Sequence, residues 1–170
     1  MTKGEKILSI VAVLAFILKI FLVPGSGLLT VLSFTLLSIL YFPLGFATLN
    51  GIPVLKIFQK KSYEGISTWR LIGTIGLGMS LSAIVIGLLF RLQSYPGAQM
   101  NLVIGVVLSF LIGIVSLVRY IEKKSGFYKN ALIKIAVLCV LGGVMFMTPQ
   151  SKLFRLTHAD DVEYPEEISH

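Results

Sequence analysis

Ile17-Leu18-Lys19-Ile20-Phe21-Leu22-Val23-Pro24-Gly25 and, 72 residues further on, Leu89-Phe90-Arg91-Leu92-Gln93-Ser94-Tyr95-Pro96-Gly97 decide the fold. Each closes an apolar run with a basic residue and a Pro-Gly turn, and each is followed by a second apolar run of similar length. Pro and Gly at such a point end a helix and reverse the chain. A constant offset marks an internal repeat, so the sequence reads as two tandem helical hairpins. Part of the pattern returns at Leu153-Phe154-Arg155-Leu156, letter for letter the 89–92 stretch, but Asp160-Asp161 stand where Pro-Gly would be. The last apolar run is accordingly expected to be the first half of a truncated third unit.

The composition places these hairpins in a membrane. Of 170 residues, 55% are apolar and only 14% charged, with a mean hydropathy of +0.89, whereas about a quarter of a soluble domain is charged. Disorder is excluded by the same numbers, and the single cysteine, Cys139, excludes a disulfide scaffold. A hydrocarbon core about 30 Å thick needs roughly 20 apolar residues of helix. Five segments are expected to supply this: 7–23 and 28–49 as one hairpin, 71–118 as a second, comprising 71–90 and 100–118, and 131–148 alone. The expected fold class is thus an all-α integral membrane bundle of five transmembrane helices, with a membrane domain over 1–148 and an acidic tail over 149–170. Lys3 and Lys6 ahead of an apolar run also resemble the start of a signal peptide. The recurrence of the same pattern inside the chain argues for a retained helix.

The net charge of +7 sets orientation and does not signal nucleic acid, because the Lys and Arg fall between apolar runs and form no stripe with interleaved aromatics. Lys3 and Lys6, then Lys56, Lys60, Lys61 and Arg70, then Arg119, Lys123, Lys124, Lys129 and Lys134 all lie on one side of the expected topology. The other side carries the Pro-Gly turns and Asp160, Asp161, Glu163, Glu166 and Glu167. The positive-inside rule then puts the N-terminus in the cytoplasm and the C-terminus outside. Because both hairpins enter from one side, the repeat is a parallel one.

Several residues are candidates for function. Lys19 and Arg91 occupy equivalent places about a turn and a half before the outer turns, where a long basic side chain is expected to snorkel to the headgroups or to pair with a partner's acid or a lipid phosphate. Arg155 repeats the position in the third copy. Gly73, Gly76, Ser80, Ala83 and Gly87 fall on one face of the third segment, and Gly105, Ser109, Gly113 and Ser116 on one face of the fourth. Such faces let helices approach closely within one chain or between copies. Pro43, followed by Gly45, is expected to bend the second helix near its end. The 53–61 stretch, with Leu55, Ile57 and Phe58 among lysines, reads as an interfacial anchor attracted to anionic lipid, with Trp69 and Tyr63 in the aromatic belt. His158, Asp160, Asp161 and Glu163 are the only group with donor atoms for a cation, and an acidic solvated tail that contacts another envelope protein is the simpler reading. No phosphate loop, nucleophile elbow or catalytic carboxylate pair occurs, and neither enzymatic activity nor a cofactor is expected. Nor does an acid fall within the five expected segments, which argues against an ion-coupled machine.

At Leu89-Phe90-Arg91-Leu92 and Leu153-Phe154-Arg155-Leu156-Thr157-His158 the chain resembles the outer end of the first transmembrane helix in the gliding-motility stator family of Bacteroidota (GldL), part of a type IX secretion motor. The likeness covers roughly ten residues per copy. It departs where that family relies on an acid in its second helix, since 28–49 holds none, and the family's long cytoplasmic region has no counterpart. The resemblance implies a bacterial inner-membrane protein of related hairpin type and carries over no functional residue. Two functions are expected to compete. One is a non-enzymatic assembly or accessory component, working with itself or with an envelope protein through small-residue faces and tail. The other is a small channel or facilitator, with Ser33, Thr35, Ser38, Thr74, Ser80, Ser82 and Ser109 lining a path between the hairpins.

Overall fold

A computed structural model describes residues 3–158, and these form helices with no strand among them. The helices are α1 (Lys3–Ile20), α2 (Ser26–Tyr41), the single turn α3 (Gly45–Thr48), α4 (Thr68–Leu92), α5 (Ala98–Lys123), α6 (Gly126–Met147) and α7 (Gln150–Thr157). Three of them, α4, α5 and α6, are long and apolar enough to cross a membrane. α4 is the centre of the bundle, with α2, α3, α5, α6 and α7 packed around it, while α1 lies on α2 and α6 on α5. Leu77, Leu81, Ile84, Val85 and Leu88 of α4 make the core. The surrounding helices add Phe34, Leu37, Leu102 and Ile135 to this core and turn many other large apolar side chains outward, as Leu28, Leu32, Leu36 and Ile39 along α2. Apolar surface this extensive suits lipid and not water.

The two Pro-Gly turns share one hydrogen-bonding scheme. In the first, Leu22 N–H bonds Lys19 O and Val23 N–H bonds Leu18 O, both at 3.1 Å. In the second, Ser94 N–H bonds Arg91 O at 3.3 Å and Tyr95 N–H bonds Phe90 O at 2.8 Å. This paired pattern is the Schellman motif, whose C′ residue is left-handed. Here that residue is Leu22 (φ 54°) or Ser94 (φ 57°), and Gly25 (φ 82°) or Gly97 (φ 81°) starts the next helix.

Four expectations are corrected. The segment expected over 28–49 is not one bent helix: α2 stops at Tyr41, because Pro43 has no N–H to donate, and the chain resumes as the turn α3. Close packing fixes that break, since a Cβ on Gly45 would lie 3.0 Å from Gly78 Cα and one on Gly78 would collide with the Tyr41 carbonyl. Second, the basic connection before the last apolar run is almost all helix. Arg119 and Lys123 belong to α5, Lys129 and Lys134 to α6, and Lys124 (φ 46°) makes the link with Ser125, which caps α6. Third, Leu153-Phe154-Arg155-Leu156 does not end the preceding helix. Pro149 interrupts α6, and the motif rides on the separate α7, which folds back onto α4 and α1. The region expected as a solvated tail thus begins with an ordered helix. Fourth, α1 starts at Lys3, ahead of the apolar run.

At the opposite end, the 53–61 stretch forms a turn at Val54–Lys56 and leads to another at Lys60–Tyr63. Ile52 and Ile57 pack inward with Ala47, and Tyr63 stacks on Phe46 and donates to Ile57 O at 2.8 Å. That small platform leaves Leu55 and Phe58 almost wholly exposed, and Trp69, at the start of α4, is exposed too. Arg70 lies over the Phe127 ring, 4.0 Å from its centroid, and joins α4 to α6.

Candidate functional site

Charges are expensive inside a membrane bundle, so the buried ones locate candidate sites. At the N-terminal end of α1, Glu5 is fully buried, on the helix face that also buries Ala12, Ala15 and Lys19. One carboxylate oxygen, Oε1, lies 2.5 Å from Lys134 Nζ of α6 and accepts from the Tyr41 hydroxyl at the end of α2, at 3.1 Å. Three helices meet in one hydrogen-bonded cluster. Breaking a buried pair on one side costs about 3–5 kcal/mol, because the other charge is left behind. Glu5 lies ahead of the expected 7–23 segment, which stays free of acid, and enters the bundle because α1 starts early; Lys134, expected in the basic connection, belongs to α6. Local sequence conceals the cluster: Glu5 precedes the first uninterrupted apolar run, and its partners come from α2 and α6. A lysine three residues inside the last apolar run, with no acid near it, was the available signal.

At the Pro-Gly end, Arg91 is also buried, only 4% exposed. Its guanidinium donates to Met145 O from Nε at 3.1 Å and from Nη2 at 2.9 Å, to Phe146 O at 3.3 Å, and to Thr148 O. The last carbonyls of a helix lack intrahelical donors and carry the negative end of its dipole. Arg91 thus caps α6. Gln150, at the start of α7, donates in turn to Arg91 O and Ser94 Oγ, both at 3.1 Å. Arg91 was expected to snorkel outward or to pair with a partner's acid or a lipid phosphate, and the Met145, Phe146 and Thr148 carbonyls hold it inside instead.

Lys19 is 8% exposed and does not reach outward either. Its Nζ stands 3.7 Å from where a Cβ on Gly27 would be, beside Gln93, whose Nε2 donates to Gly27 O at 3.0 Å. Arg155, the third copy of this position, is exposed on α7. His158 stacks on Phe154 with centroids 4.0 Å apart, and its Nδ1 lies 3.1 Å from Thr157 Oγ1 and 3.2 Å from Phe154 O. Burial and then the charge of Lys19 push the imidazole below its ordinary pKa, against the pull of the Phe154 carbonyl. Asp160, Asp161 and Glu163 lie outside the described residues. Among the described residues no three His, Cys, Asp or Glu gather as a metal site.

The small-residue faces fall largely inside the bundle. A Cβ on Gly87 would come within 2.8 Å of the Leu102 side chain and 2.9 Å of its backbone nitrogen, and one on Gly105 within 2.6 Å of Ile84 Cγ1. Gly76 receives Ile112, Gly113 faces Ile135 of α6, and Ser80 and Ser109 are fully buried. Ser116 is buried, Ala83 is half-buried, and Gly73 alone among these has no neighbour. Five of the seven hydroxyls named for a path are engaged by neighbours, while Ser109 Oγ is buried without a hydrogen bond among the described residues. Ser38 and Ser82 share a hydrogen bond at 2.7 Å, Ser33 bonds Thr30 O, Ser80 bonds Leu77 O, and Thr74 bonds Leu71 O while accepting from Asn50. Thr35 is exposed on the outer face of α2.

Set against known proteins, the chain matches no family model, no curated protein and no solved structure.

Proposed function

We propose that the chain is a five-pass protein of the bacterial cytoplasmic membrane, with its N-terminus in the cytoplasm, built from two tandem hairpins and a fifth helix. In this reading it acts as a non-enzymatic assembly component. The shared Schellman turns, 72 residues apart, support the tandem arrangement. α1 and α2 are about 27 and 24 Å long at roughly 1.5 Å per residue, short for a core of about 30 Å. The charges of α1 stand near its two ends, at Lys3, Glu5, Lys6 and Lys19, where they define the limits of a span.

The observation that carries the assembly reading is the use of the interior. Glu5, Lys134, Arg91 and most of its hydroxyls join helix to helix or return to the backbone, with Lys19 and Ser109 the exceptions among the described residues, and the Gly45–Gly78 contact closes the α2–α4 seam. What the molecule offers to others is then its surface: the outward apolar faces of α5 and α6, and α7 with the acidic segment after it. Crosslinking in native membranes, followed by mass measurement of the purified species in detergent, is expected to show a defined oligomer or a stoichiometric partner. A strict monomer that crosslinks to nothing overturns the reading. Topology has its own test. An impermeant maleimide applied to intact cells should label Ser151→Cys and spare Lys61→Cys.

A further inference from the structure

We propose that Lys19 anchors an anion-binding site at the Pro-Gly end of the bundle, and that its ligand is the phosphate of an anionic phospholipid headgroup. The first observation is the lysine itself. It is more than nine-tenths buried, and among the described residues no hydrogen bond or ion pair holds its ammonium. A charge withdrawn from water without a partner is costly, so the site is incomplete without an anion.

The second observation is what surrounds it. Nζ lies beside Gly27, in the first turn of α2. Gly25, at the N-cap, has no side chain to receive the N–H groups there, and those of Gly27 and Leu28 find no acceptor among the described residues. A helix start of this kind carries partial positive charge and binds phosphate oxygens. Gln93 has its amide fixed at the same place by its bond to Gly27 O. Every acid of the described residues stands elsewhere: Glu5 at the start of α1, Glu64 just before α4 and Glu122 at the end of α5. The counterpart turn shows what is missing. Arg91 has the α6 carbonyls to receive its protons, while α2 turns its positive end toward Lys19.

The depth of the site rests on the membrane placement proposed above, which brings an ammonium a turn and a half before the turn to headgroup level. Native mass spectrometry of the full chain, delipidated in mild detergent and titrated with phosphatidylglycerol, phosphatidylcholine or inorganic phosphate, tests it. A basic residue at an anionic surface is worth about 1 kcal/mol, so Lys19→Gln is expected to bind phosphatidylglycerol about fivefold less than the wild type. Lys19→Arg should retain the lipid, and Lys152→Gln, exposed at the same end, should leave binding unchanged. Equal binding by wild type and a Lys19→Gln protein with an unaltered melting profile overturns the proposal. Displacement by millimolar inorganic phosphate, without preference among lipids, keeps the anion site and assigns it to free phosphate. If lipid binds only after Asp160→Asn and Asp161→Asn, the chain's own carboxylates hold the site and the headgroup is overturned. None of these outcomes depends on the maleimide test, so failure of the topology is read separately.

Discussion

In the first hairpin α1 and α2 meet where Thr30 Oγ1 donates to the Ala15 carbonyl at 3.3 Å and to Ser26 O at 2.8 Å. Seventy-two residues later the same two positions are Leu102 and Gly87, and they meet by steric fit, with no room for a Cβ on the glycine. The turns before them are alike in every hydrogen bond named above, so the turn sets where the helices cross and leaves open what chemistry joins them. The position in the bundle decides that chemistry. α4 is surrounded and must admit neighbours at short range, which glycine allows. α1 lies at the edge, where a hydroxyl bond and the Glu5–Lys134 pair attach it.

That contrast can be broken most forcefully at Gly105. A Cβ there meets Ile84 N at 2.7 Å, so even Gly105→Ala must move backbone, and Gly105→Leu should cost upward of about 3 kcal/mol. Size-exclusion profiles in detergent should show loss of the monodisperse species. The position 72 residues earlier is Ser33, whose hydroxyl bonds within its own helix, and Ser33→Ala should leave the profile intact.

Glu5→Gln tests the polar attachment. It strands the Lys134 ammonium and should destabilise the protein by about 3–5 kcal/mol, most of which the double change with Lys134→Met restores. Thermal melting of the four proteins of that cycle measures the coupling. Additive effects would mean that α1 is held by its apolar face alone.

Arg91 and Lys19 sharpen the comparison at the turns. Arg91→Met removes the donors that cap α6, and hydrogen bonds from a charged group are each worth about 1.5–3 kcal/mol, so a fall of that order in unfolding free energy is expected. Lys19→Met, in lipid-free detergent, should leave stability unchanged or raise it, since it removes a buried charge that no described residue neutralises. Urea unfolding followed by tryptophan emission reads both. At the hairpin crossing the expected change is smaller: Thr30→Val gives up hydroxyl bonds of the kind that average about 0.6 kcal/mol inside membranes.

These effects also mark where the sequence was legible. The helical runs and the turns between them were, because Pro-Gly and the basic residue before it are local signals. Pairs distant along the chain were not. Glu5 stands between Lys3 and Lys6 in the sequence, and only folding sets it beside Tyr41 and Lys134. Nothing local sets Gly78 apart from other small residues, and its role comes from the Tyr41 carbonyl and Gly45 packed against it. Identity of letters misled at Leu153-Phe154-Arg155-Leu156, because Pro149 puts this copy on a short amphipathic helix, where the arginine faces out and Leu153 and Phe154 face in.

The smallest effect lies in the turns. Leu22 and Ser94 occupy the left-handed region at the same place in the same motif, a conformation that costs an L-residue roughly 1–2 kcal/mol and glycine very little. Leu22→Gly and Ser94→Gly relieve that strain, but each also loosens the unfolded chain by about 0.5–1 kcal/mol. The net gain should therefore be a few tenths of a kcal/mol and larger for Leu22, whose apolar side chain is 46% exposed and gives up little packing. Ser94 is buried and accepts from Gln150 through its hydroxyl, so its replacement forfeits the bond that ties α7 to the turn. A rise in melting temperature for Leu22→Gly beside a fall for Ser94→Gly would show that only the second turn is held by what packs upon it. Equal shifts would mean that α7 contributes nothing to that turn and that the two hairpins differ only in how their helices cross.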